Sequence, residues 1–430
     1  MQDRDEIAPA PLLKDLFAAA LAAAEPHRVL ARHLPDPVAG RTLVLGAGKA
    51  AAAMARAFEQ LWPGPLDGLV VTRYGHAVAC ERIEIVEAAH PVPDAAAVAA
   101  ASRMLARARG LTAADQLVFL ASGGGSALLT LPAAGISLAD KQQVTRALLR
   151  CGATIAEINT VRKHLSAIKG GRLAAAAAPA RVLTLAISDV PGDDPAVIAS
   201  GPTVPDPTYF ADARAVLAKY RIEPPAAVAA HLAAAREETP KPGDPVFART
   251  RFILVASPQE SLSAAAALAQ RRGVAPIVLS DRIEGEAREV ARVHAAIALQ
   301  LKSGRLRVGD AVVTPPAVLL SGGETTVTIG GGGRGGRNGE FLLALGIALD
   351  GAPGIAAIAC DTDGLDGTED NAGAILYPDS LARAAALGLS AKAALADNDS
   401  YRFFAALGDL VMTGPTLTNV NDFRAILVLG

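Results

Sequence analysis

Residues 159–203 combine cations and acids in an order that could bind a phosphorylated substrate together with a divalent metal. The segment 159–172 predicts a helix, and at about 100° per residue four of its polar side chains share one side: Arg162, Ser166, Lys169 and Arg172. An apolar strand over 183–187 follows, and the chain then reaches Asp189 and Asp193. Carboxylates at the carboxyl end of a strand lie where open α/β sheets bind ligands. The pattern indicates a phosphate and metal site, although cations along a helix are also typical of a solvated face.

A second phosphate-binding candidate is the serine- and glycine-rich segment that follows the predicted strand 116–121. It consists of Ser122, Gly123, Gly124, Gly125 and Ser126. Successive glycines leave backbone N–H groups free to surround an anion, and two hydroxyl groups flank them. A tight turn without a ligand is the alternative. Three glycines in a row cost conformational entropy without a packing return, which favours anion binding.

The turn Gly46-Ala-Gly48-Lys49 separates a predicted strand from a predicted helix. Its glycines would allow a ligand to approach the backbone, and the lysine would lie beside a helix start, where anions are favoured. The spacing is a partial dinucleotide fingerprint, but a nicotinamide site needs an acid at the end of the next strand. That strand, 68–72, is followed by Arg73 instead. The arrangement argues against nicotinamide.

Two segments in the second half of the chain again place polar residues after an apolar strand. Ser321-Gly322-Gly323-Glu324 follows the strand 316–320, and the strand 355–360 ends in a cluster of acids that includes Asp363. The acidic spacing does not match a calcium loop. A strand-end cluster of this kind suits Mg²⁺ that is held jointly with phosphates.

The segment 330–338 contains six glycines together with Arg334 and Arg337. With so little side-chain packing, we expect a flexible loop that closes over anions as a mobile lid. A structural surface hairpin is the alternative.

Length and composition bound the remaining possibilities. The 430 residues predict two domains, which we place at 1–242 and 243–430 because the polar, proline-containing segment 237–243 is typical of a linker. The formal net charge of −2 gives no reason to expect nucleic acid, and three scattered cysteines favour a reducing compartment. The charged N-terminus is unlike a signal peptide, and no membrane span is indicated. We expect a soluble, cytoplasmic protein.

Taken in order, the motifs resemble the class II glycerate 2-kinase family, whose C-terminal part is called the MOFRL domain. The resemblance covers nearly the whole chain and rests on the following segments: Gly46-Ala-Gly-Lys49, Ser122-Gly-Gly-Gly-Ser126, Asn159-Thr-Val-Arg-Lys-His164, Lys169-Gly-Gly-Arg172, Ser188-Asp-Val-Pro-Gly-Asp193, Ser321-Gly-Gly-Glu324, Gly336-Arg-Asn338, Thr362-Asp-Gly364 and residues 413–422. It implies an α/β protein with an N-terminal Rossmann-like parallel-sheet domain, a C-terminal α/β domain and a cleft between them. The implied reaction transfers the γ-phosphoryl group of ATP to the 2-hydroxyl of D-glycerate, with Mg²⁺ as the metal.

The chain departs from the usual family pattern at three places. Gly339 stands where the family usually has Gln, Thr368-Glu-Asp370 stands where it has Pro-Thr-Asp, and Ser257-Pro258 stands where an Asn is expected. These changes bear on substrate preference and nucleotide contacts rather than on the class of reaction.

The residue types and the resemblance together suggest roles. Lys49 would neutralise the transferred phosphoryl group, Asp189 would orient or deprotonate the 2-hydroxyl, and Arg337 would pair with the glycerate carboxylate. Lys49 and Arg337 could exchange these ligands. The candidate metal ligands are Asp189, Asp193 and Asp363. The expected substrate- or nucleotide-binding residues are Gly46, Gly48, Ser122, Gly123, Gly124, Gly125, Ser126, Arg162, Lys163, Ser321, Gly322, Gly323, Glu324, Asn338 and Asn419.

Two other functions stay open at this point. Related chains have been labelled hydroxypyruvate reductases, so an NAD(P)H-dependent hydroxypyruvate reductase is the first. A non-catalytic sugar-phosphate-binding protein is the second, since glycine loops alone could serve it. We expect small-molecule ligands rather than nucleic acid or membrane, and either a monomer or a homodimer.

Overall fold

The computed structural model describes residues 7–430. Contacts divide the chain into two compact units. The amino-terminal unit is Pro26–Val255, and the carboxy-terminal unit is Ala256–Gly430 together with the described part of Met1–Glu25. The charged residues 1–6, on which the signal-peptide argument rests, lie outside the described residues. Between residues 7 and 430, no helix is long and apolar enough to cross a membrane.

The helices are α1 (Pro9–Ala23), α2 (Pro26–Leu30), α3 (Ala51–Leu61), α4 (Ala95–Arg109), α5 (Gly125–Leu128), α6 (Leu138–Arg150), α7 (Ile155–His164), α8 (Arg172–Ala177), α9 (Phe210–Lys219), α10 (Ala226–Ala234), α11 (Pro258–Arg271), α12 (Ala287–Lys302), α13 (Arg337–Leu349), α14 (Ser380–Ala386), α15 (Ala391–Ala396) and α16 (Ser400–Leu407). The strands are β1 (Thr42–Ala47), β2 (Asp67–Arg73), β3 (Ile83–Ala88), β4 (Gln116–Ala121), β5 (Arg181–Ile187), β6 (Thr250–Ala256), β7 (Ala275–Ser280), β8 (Gly285–Glu286), β9 (Arg307–Val308), β10 (Ala311–Val312), β11 (Ala317–Ser321), β12 (Thr325–Thr326), β13 (Ile355–Asp361), β14 (Gly373–Leu376), β15 (Leu410–Val411) and β16 (Asp422–Val428).

A six-stranded sheet with the order β3-β2-β1-β4-β5-β6 forms the centre of the amino-terminal unit. β1 pairs in parallel with both β2 and β4, and β4 pairs in parallel with β5. Every residue of β1 and β4 is buried, as expected for strands covered on both faces. The strand order reverses between β1 and β4, and ligands bind at the carboxyl ends of strands at such a switch point. The turn after β1 and residues 122–126, here called the glycine loop, both lie there.

The carboxy-terminal unit is built on a mixed sheet with the order β15-β14-β13-β16-β11-β7. β16 is fully buried and pairs antiparallel with both β13 and β11. β11 in turn pairs in parallel with β7. The predicted α/β class, with a parallel sheet in one domain and a second α/β domain, is confirmed.

The division into units differs from the predicted domains 1–242 and 243–430 in two places. α1 belongs to the carboxy-terminal unit because its apolar face, which includes Leu13 and Phe17, packs with Leu262 of α11 and Phe423 of β16. β6 belongs to the sheet of the amino-terminal unit, where it lies next to β5. A linker-like composition at 237–243 therefore precedes the last strand of the first sheet.

One predicted element is wrong. The helix predicted over 159–172 ends at His164, and Gly170 and Gly171, with left-handed φ angles of +57° and +81°, separate it from α8. Arg162, Lys169 and Arg172 therefore do not share one helical face.

Candidate active site

The turn after β1 lies against the glycine loop. A Cβ on Gly48, whose φ is +144°, would lie 2.1 Å from the Oγ of Ser122. The same oxygen accepts a 3.0 Å hydrogen bond from the Ala50 amide, and the Lys49 amide donates to the carbonyl oxygen of Gly123 at 2.7 Å. The missing Cβ of Gly48 thus makes room for the side chain of Ser122, whereas the glycine spacing predicted a ligand at this position.

Gly46, predicted to bind a ligand, has a packing role in the sheet. A Cβ at this position would lie 2.7 Å from the carbonyl oxygen of Leu120 on the neighbouring strand β4. Close contact between β1 and β4 therefore requires glycine here. Ser122 is 1% exposed, so its hydroxyl group anchors the turn instead of facing a ligand.

Lys49 lies at the glycine loop, as the order of the motifs suggested. Its Cγ is 3.3 Å from the position that a Cβ would take on Gly124, and the Nε2 of His90 is 3.0 Å from that position. Both side chains are half-buried. His90 was not among the predicted site residues. Its place shortly after β3, at the same edge of the sheet, is the signal that could have found it.

The glycine loop offers backbone donors. The Gly123 and Gly124 amides form no hydrogen bond with the described residues, 7–430. Gly124 has a left-handed φ of +78°, which a glycine adopts without strain. Successive free N–H groups of this kind bind anions, so the loop retains the anion-binding role that the sequence predicted.

A strained segment supports the other side of the loop. Ala199 and Ser200 have φ angles of +52° and +60°, which are uncommon for residues other than glycine. Ser200 is fully buried; its Oγ donates to Asn159 Oδ1 at 2.9 Å and lies 2.9 Å from the Oγ of Ser126. A Cβ on Gly125 would lie 2.9 Å from that of Ala199. Strain held by surrounding hydrogen bonds is typical of functional sites.

The two acids that follow β5 lie at the predicted carboxyl end of that strand. Asp189 is half-buried. Asp193 adopts a left-handed φ of +57°, and its Oδ1 is buried without a hydrogen-bond partner among residues 7–430. A buried carboxylate oxygen without a donor is unfavourable unless a ligand or cation compensates it.

Lys163 takes a structural position instead of the predicted binding position. It is 4% exposed, and its Nζ forms a 2.6 Å ion pair with Asp206 Oδ1. Asp206 also accepts hydrogen bonds from Thr208 and Thr239. The pair ties α7 to the segments at 206–208 and 239.

Arg162 belongs to a different cationic group. Burial lowers the pKa of Arg162 to about 10, and burial together with the charge of Arg162 lowers the pKa of Lys141 to about 7. Lys169 is fully buried and donates from Nζ to the carbonyl oxygen of Ser126 at 2.8 Å.

Lys141 was not predicted from the sequence. It lies on the apolar face of α6, at helical spacing from Val144, which is the signal that could have revealed it.

The turn after β11 in the carboxy-terminal unit is anchored internally. The Nδ1 of His294 lies 2.8 Å from the Val290 carbonyl oxygen, so Nδ1 carries the proton and Nε2 accepts the Ser321 hydroxyl at 3.0 Å. Burial lowers the pKa of this histidine to about 4. A Cβ on Gly323 would lie 2.2 Å from the Ile283 amide nitrogen. The predicted binding residues Ser321 and Gly323 therefore shape the turn.

Arg337 lies at the start of α13 and is held by three carboxylates. Its Nε contacts Asp422 at 2.8 Å, its Nη2 contacts Asp361 at 2.9 Å and its Nη1 contacts Glu324 at 2.9 Å. These charges keep the pKa of Arg337 well above its usual range despite its burial. The Glu324 side chain is 49% exposed, whereas the other two acids are buried. The guanidinium fork that was expected to bind glycerate is thus already occupied, with Glu324 as its most accessible partner.

Asn338 and Gly339 are held by one buried acid. Asp366 accepts the Asn338 amide at 3.0 Å and the Gly339 amide at 2.8 Å, and burial raises its pKa to about 6. The Oδ1 of Asn338 is buried and unpartnered among the described residues. A Cβ on Gly339 would lie 2.6 Å from the Oγ of Ser400. Glycine in place of Gln at this position therefore allows α16 to approach closely.

Gly322, Asp363 and Asn419 complete the predicted set in this unit. The Asp363 Oδ1 accepts the amide of Leu365 at 2.9 Å, and the Asn419 Oδ1 accepts the amide of Asn421 at 3.2 Å. The carbonyl oxygen of Gly322 accepts from Arg424 at 3.1 Å. All three contacts stabilise the loops at the edge of the mixed sheet.

The glycine-rich loop 330–338 is packed, which disagrees with the expectation of little packing. The Asn398 Oδ1 accepts the amides of Gly330 and Gly331 at 2.9 and 3.1 Å. A Cβ on Gly331 would lie 2.4 Å from the backbone of Asp397. Arg334 pairs with Glu369 and stacks over the Tyr401 ring. These contacts favour the structural alternative over the mobile lid, because the glycines allow close backbone approach.

The candidate metal ligands are the aspartates at the strand ends. Within residues 7–430, no group of three or more His, Cys, Asp or Glu side chains could hold a metal. Mg²⁺ typically binds through one or two carboxylates together with substrate phosphates. The unpartnered oxygen of Asp193, with Asp189 at the same strand end, fits such a partial site. Asp363 fits it less well, because its Oδ1 already accepts an amide of its own loop.

A cavity of about 760 Å³ in the amino-terminal unit lies among other residues. Its lining includes Leu105, Arg109 and Arg236, together with Ser166 and Arg172 from the predicted polar helix face. Arg172 donates from Nη2 to the Glu237 carbonyl oxygen at 2.5 Å. None of the glycine-loop residues 122–126 is part of its lining.

A parallel sheet whose switch point carries a glycine loop beside lysine and carboxylate side chains defines an α/β protein suited to anionic ligands. Two family models match the chain: the domain of unknown function DUF4147 over residues 12–233 and the MOFRL family over residues 317–422. The chain belongs to the class II glycerate kinase family.

Three comparisons illustrate the similarity. A relative from Thermotoga maritima named D-glycerate 2-kinase is 41% identical over 406 residues, which are 94% of each chain. A relative from Agrobacterium vitis, named provisionally as a hydroxypyruvate reductase, is 54% identical over 427 residues, 99% of this chain and 95% of that one. The crystal structure of glycerate kinase from Thermotoga maritima superposes with a TM-score of 0.86 at 39% identity, covering 97% of this chain and 99% of that chain.

Proposed function

We propose that this protein is an ATP-dependent glycerate 2-kinase, which transfers the γ-phosphoryl group of ATP to the 2-hydroxyl of D-glycerate. The observation that carries the proposal is the glycine loop at the switch point of the sheet. Lys49 lies beside this loop, and the acids Asp189 and Asp193 follow β5, the strand next to β4. Phosphoryl transfer depends on positioning and charge neutralisation, and these residue types supply both. The kinase names of the relatives from Thermotoga maritima add support.

The relation between Gly48 and Ser122 argues against the reductase alternative. In a dinucleotide site, the second glycine of the fingerprint lets the pyrophosphate approach the backbone. Here Ser122 takes that position, and the Ala50 amide at the start of α3 already has its acceptor. β2 ends in Arg73, which cannot accept hydrogen bonds from a ribose. The provisional reductase name of the relative from Agrobacterium vitis therefore has little support from this turn.

The amino-terminal unit supplies the groups that act on the reacting atoms in this proposal. The Gly123 and Gly124 amides bind phosphate oxygens, and the ammonium group of Lys49 offsets the charge that develops on the transferred group. Asp189 orients the 2-hydroxyl and accepts its proton, a task for which a strand-end carboxylate is well placed. His90 lies beside the same loop and can donate or accept a hydrogen bond there.

Arg337 has a narrower role than the sequence suggested. Because buried Asp361 and Asp422 hold its Nε and Nη2, only Nη1 can turn to a ligand, and it does so by leaving exposed Glu324. We therefore assign Arg337 a single charge-assisted contact with substrate or nucleotide.

Mg²⁺ would neutralise phosphate charge when it is bound. Asp193 and Asp189 are the residues of this chain that would hold it. Asp193 presents an oxygen that has no hydrogen-bond donor among residues 7–430, and Asp189 lies two residues after the end of β5.

The direct test compares two activities of the same preparation. ADP release should require both D-glycerate and Mg²⁺, whereas hydroxypyruvate should cause no enzyme-dependent loss of the NADH or NADPH absorbance band. Glycerate-independent ADP release, or nicotinamide oxidation in proportion to protein concentration, would refute the proposal.

A further inference from the structure

Three cations meet in the amino-terminal unit close to the glycine loop. Lys141 comes from the buried face of α6, Arg162 from the last turn of α7, and Lys169 from the turn that precedes α8. Lys141 is 4% exposed and Lys169 is fully buried, while Arg162 is half-buried. The group therefore has one partly accessible member and two that are enclosed.

Within residues 7–430, the side chains of the two lysines donate to neutral carbonyl groups. Lys141 Nζ donates to Leu165 at 3.3 Å, and Lys169 Nζ donates to Ser126 at 2.8 Å. In the described part of the chain, none of the three cations forms an ion pair with a carboxylate. A carbonyl group fixes the position of an ammonium group but does not neutralise its charge.

The three charges also act on one another. The charge of Arg162 lowers the pKa of Lys141, and the charges of Lys141 and Arg162 lower the pKa of Lys169 beyond the effect of burial. Buried like charges without a counter-ion are costly, and proteins normally pair them or neutralise them. A packing role alone would be served better by apolar side chains, which carry no such cost.

The position of the cluster points to a ligand. Lys169 is bonded to the carbonyl oxygen of Ser126, the last residue of the glycine loop. Ser126 is half-buried, and its Oγ forms a hydrogen-bond chain through Ser200 to Asn159. A cation and hydroxyl groups thus adjoin the last residue of the glycine loop.

We propose that Lys141, Arg162 and Lys169 form an oxyanion pocket beside the glycine loop. It takes either the carboxylate of the acid substrate or a phosphate group of the nucleotide, which share a compact, negatively charged set of oxygen acceptors. The pocket supplies carboxylate or phosphate recognition beyond the single contact that Arg337 can make with its two buried partners in place. The inference rests on the proposed function for the identity of its ligands, but not for the existence of the pocket.

The test measures binding without turnover. Calorimetric titrations with inorganic phosphate, D-glycerate and metal-free ATP are compared for the wild type, Lys141→Met and Arg162→Met. Methionine keeps the length and packing of the lysine stem without its charge. The matched control is Arg146→Met, which removes an exposed cation from the same helix, α6.

Both pocket variants should bind inorganic phosphate and one of the two natural ligands at least ~10-fold more weakly, which corresponds to about 1.4 kcal/mol. Arg146→Met should bind like the wild type. Loss confined to D-glycerate identifies the carboxylate, and loss confined to ATP identifies the nucleotide phosphate.

Unchanged affinity of both pocket variants for all three probes would overturn the pocket. Equal weakening in Arg146→Met would overturn it as well, because a general charge effect would then explain the loss. The far-ultraviolet circular dichroism of each variant checks folding. Lys141→Arg is added to show that a side chain that keeps the positive charge also keeps binding. If phosphate binding is lost as predicted but no kinase turnover exists, the pocket stands and the proposed function falls.

Discussion

The Oγ of Ser122 lies 2.1 Å from the point where a Cβ on Gly48 would be. This contact joins the turn after β1 to the glycine loop after β4, the two segments at the switch point of the parallel sheet. It also fills the space through which a dinucleotide would approach the backbone. One local contact therefore bears on both the assembly of the site and the choice between kinase and reductase.

Replacement of Lys49 by alanine should abolish most turnover and leave the fold intact. Loss of a charge that acts on the transition state should raise the barrier by about 3–4 kcal/mol, or roughly a hundredfold or more in kcat. Steady-state kinetics and circular dichroism check this. The exposed Lys14 on α1 provides the control substitution Lys14→Ala. A normal kcat in folded Lys49→Ala protein would remove this lysine from the mechanism.

Two adjacent glycines distinguish a packed loop from a mobile one. Gly331→Ala should destabilise the protein by about 1–3 kcal/mol, because its Cβ would lie 2.4 Å from the Asp397 backbone. Gly332→Ala is the matched control, since nothing lies within 4 Å of its Cβ position. Urea unfolding of both variants measures the difference. Equal stability of the two would favour the mobile lid.

The buried His294 should make the protein sensitive to mild acid. Its pKa is lowered to about 4 by burial, while the unfolded chain binds the proton near the ordinary value of 6.5. Because the unfolded state binds the proton first, the stability that the neutral histidine provides is fully present above pH 6.5. It is lost as the pH falls towards 4, by up to about 3 kcal/mol. The difference in melting temperature between the wild type and His294→Gln should change with pH only in that window. Parallel curves from pH 8 to pH 4 would contradict the assignment.

Lys141→Met should stabilise the ligand-free protein. The folded pKa of Lys141 is about 7, and that of the unfolded chain is near 10.5. The wild type therefore carries its full penalty below pH 7, and the penalty disappears as the pH rises towards 10.5, up to about 5 kcal/mol in all. The variant's advantage should shrink over that range and also shrink at pH 7 when inorganic phosphate is added. A variant that is less stable than the wild type at pH 7 would contradict this account.

The sheet strands were the most predictable part of the fold. Apolar runs such as those of β4 and β13 are buried throughout, and their sequences differ clearly from those of the loops. The attachment of α1 to the carboxy-terminal unit could not be predicted, because it depends on a contact with Phe423 that is distant in the chain. Hydrophobic pattern indicates which face is buried but not what covers it.

The site was predictable at the level of segments and less so at the level of side chains. Lys49 and the glycine loop do meet, since parallel strand ends converge at one sheet edge. The roles of glycine were harder to predict, because close packing and ligand approach both require a missing Cβ, as Gly46 and Gly331 show. Lys163 and Arg162 are adjacent in sequence, yet one is paired with Asp206 and the other joins unpaired cations.

The measurement that tests the central claim most directly is identification of the reaction product. The protein is incubated with D-glycerate, ATP and Mg²⁺, and the phosphorus spectrum of the mixture is compared with those of authentic 2- and 3-phosphoglycerate. The proposed function predicts 2-phosphoglycerate and an equal amount of ADP, with neither formed by Lys49→Ala. Formation of 3-phosphoglycerate, or no phosphorylated glycerate from folded protein, would contradict it.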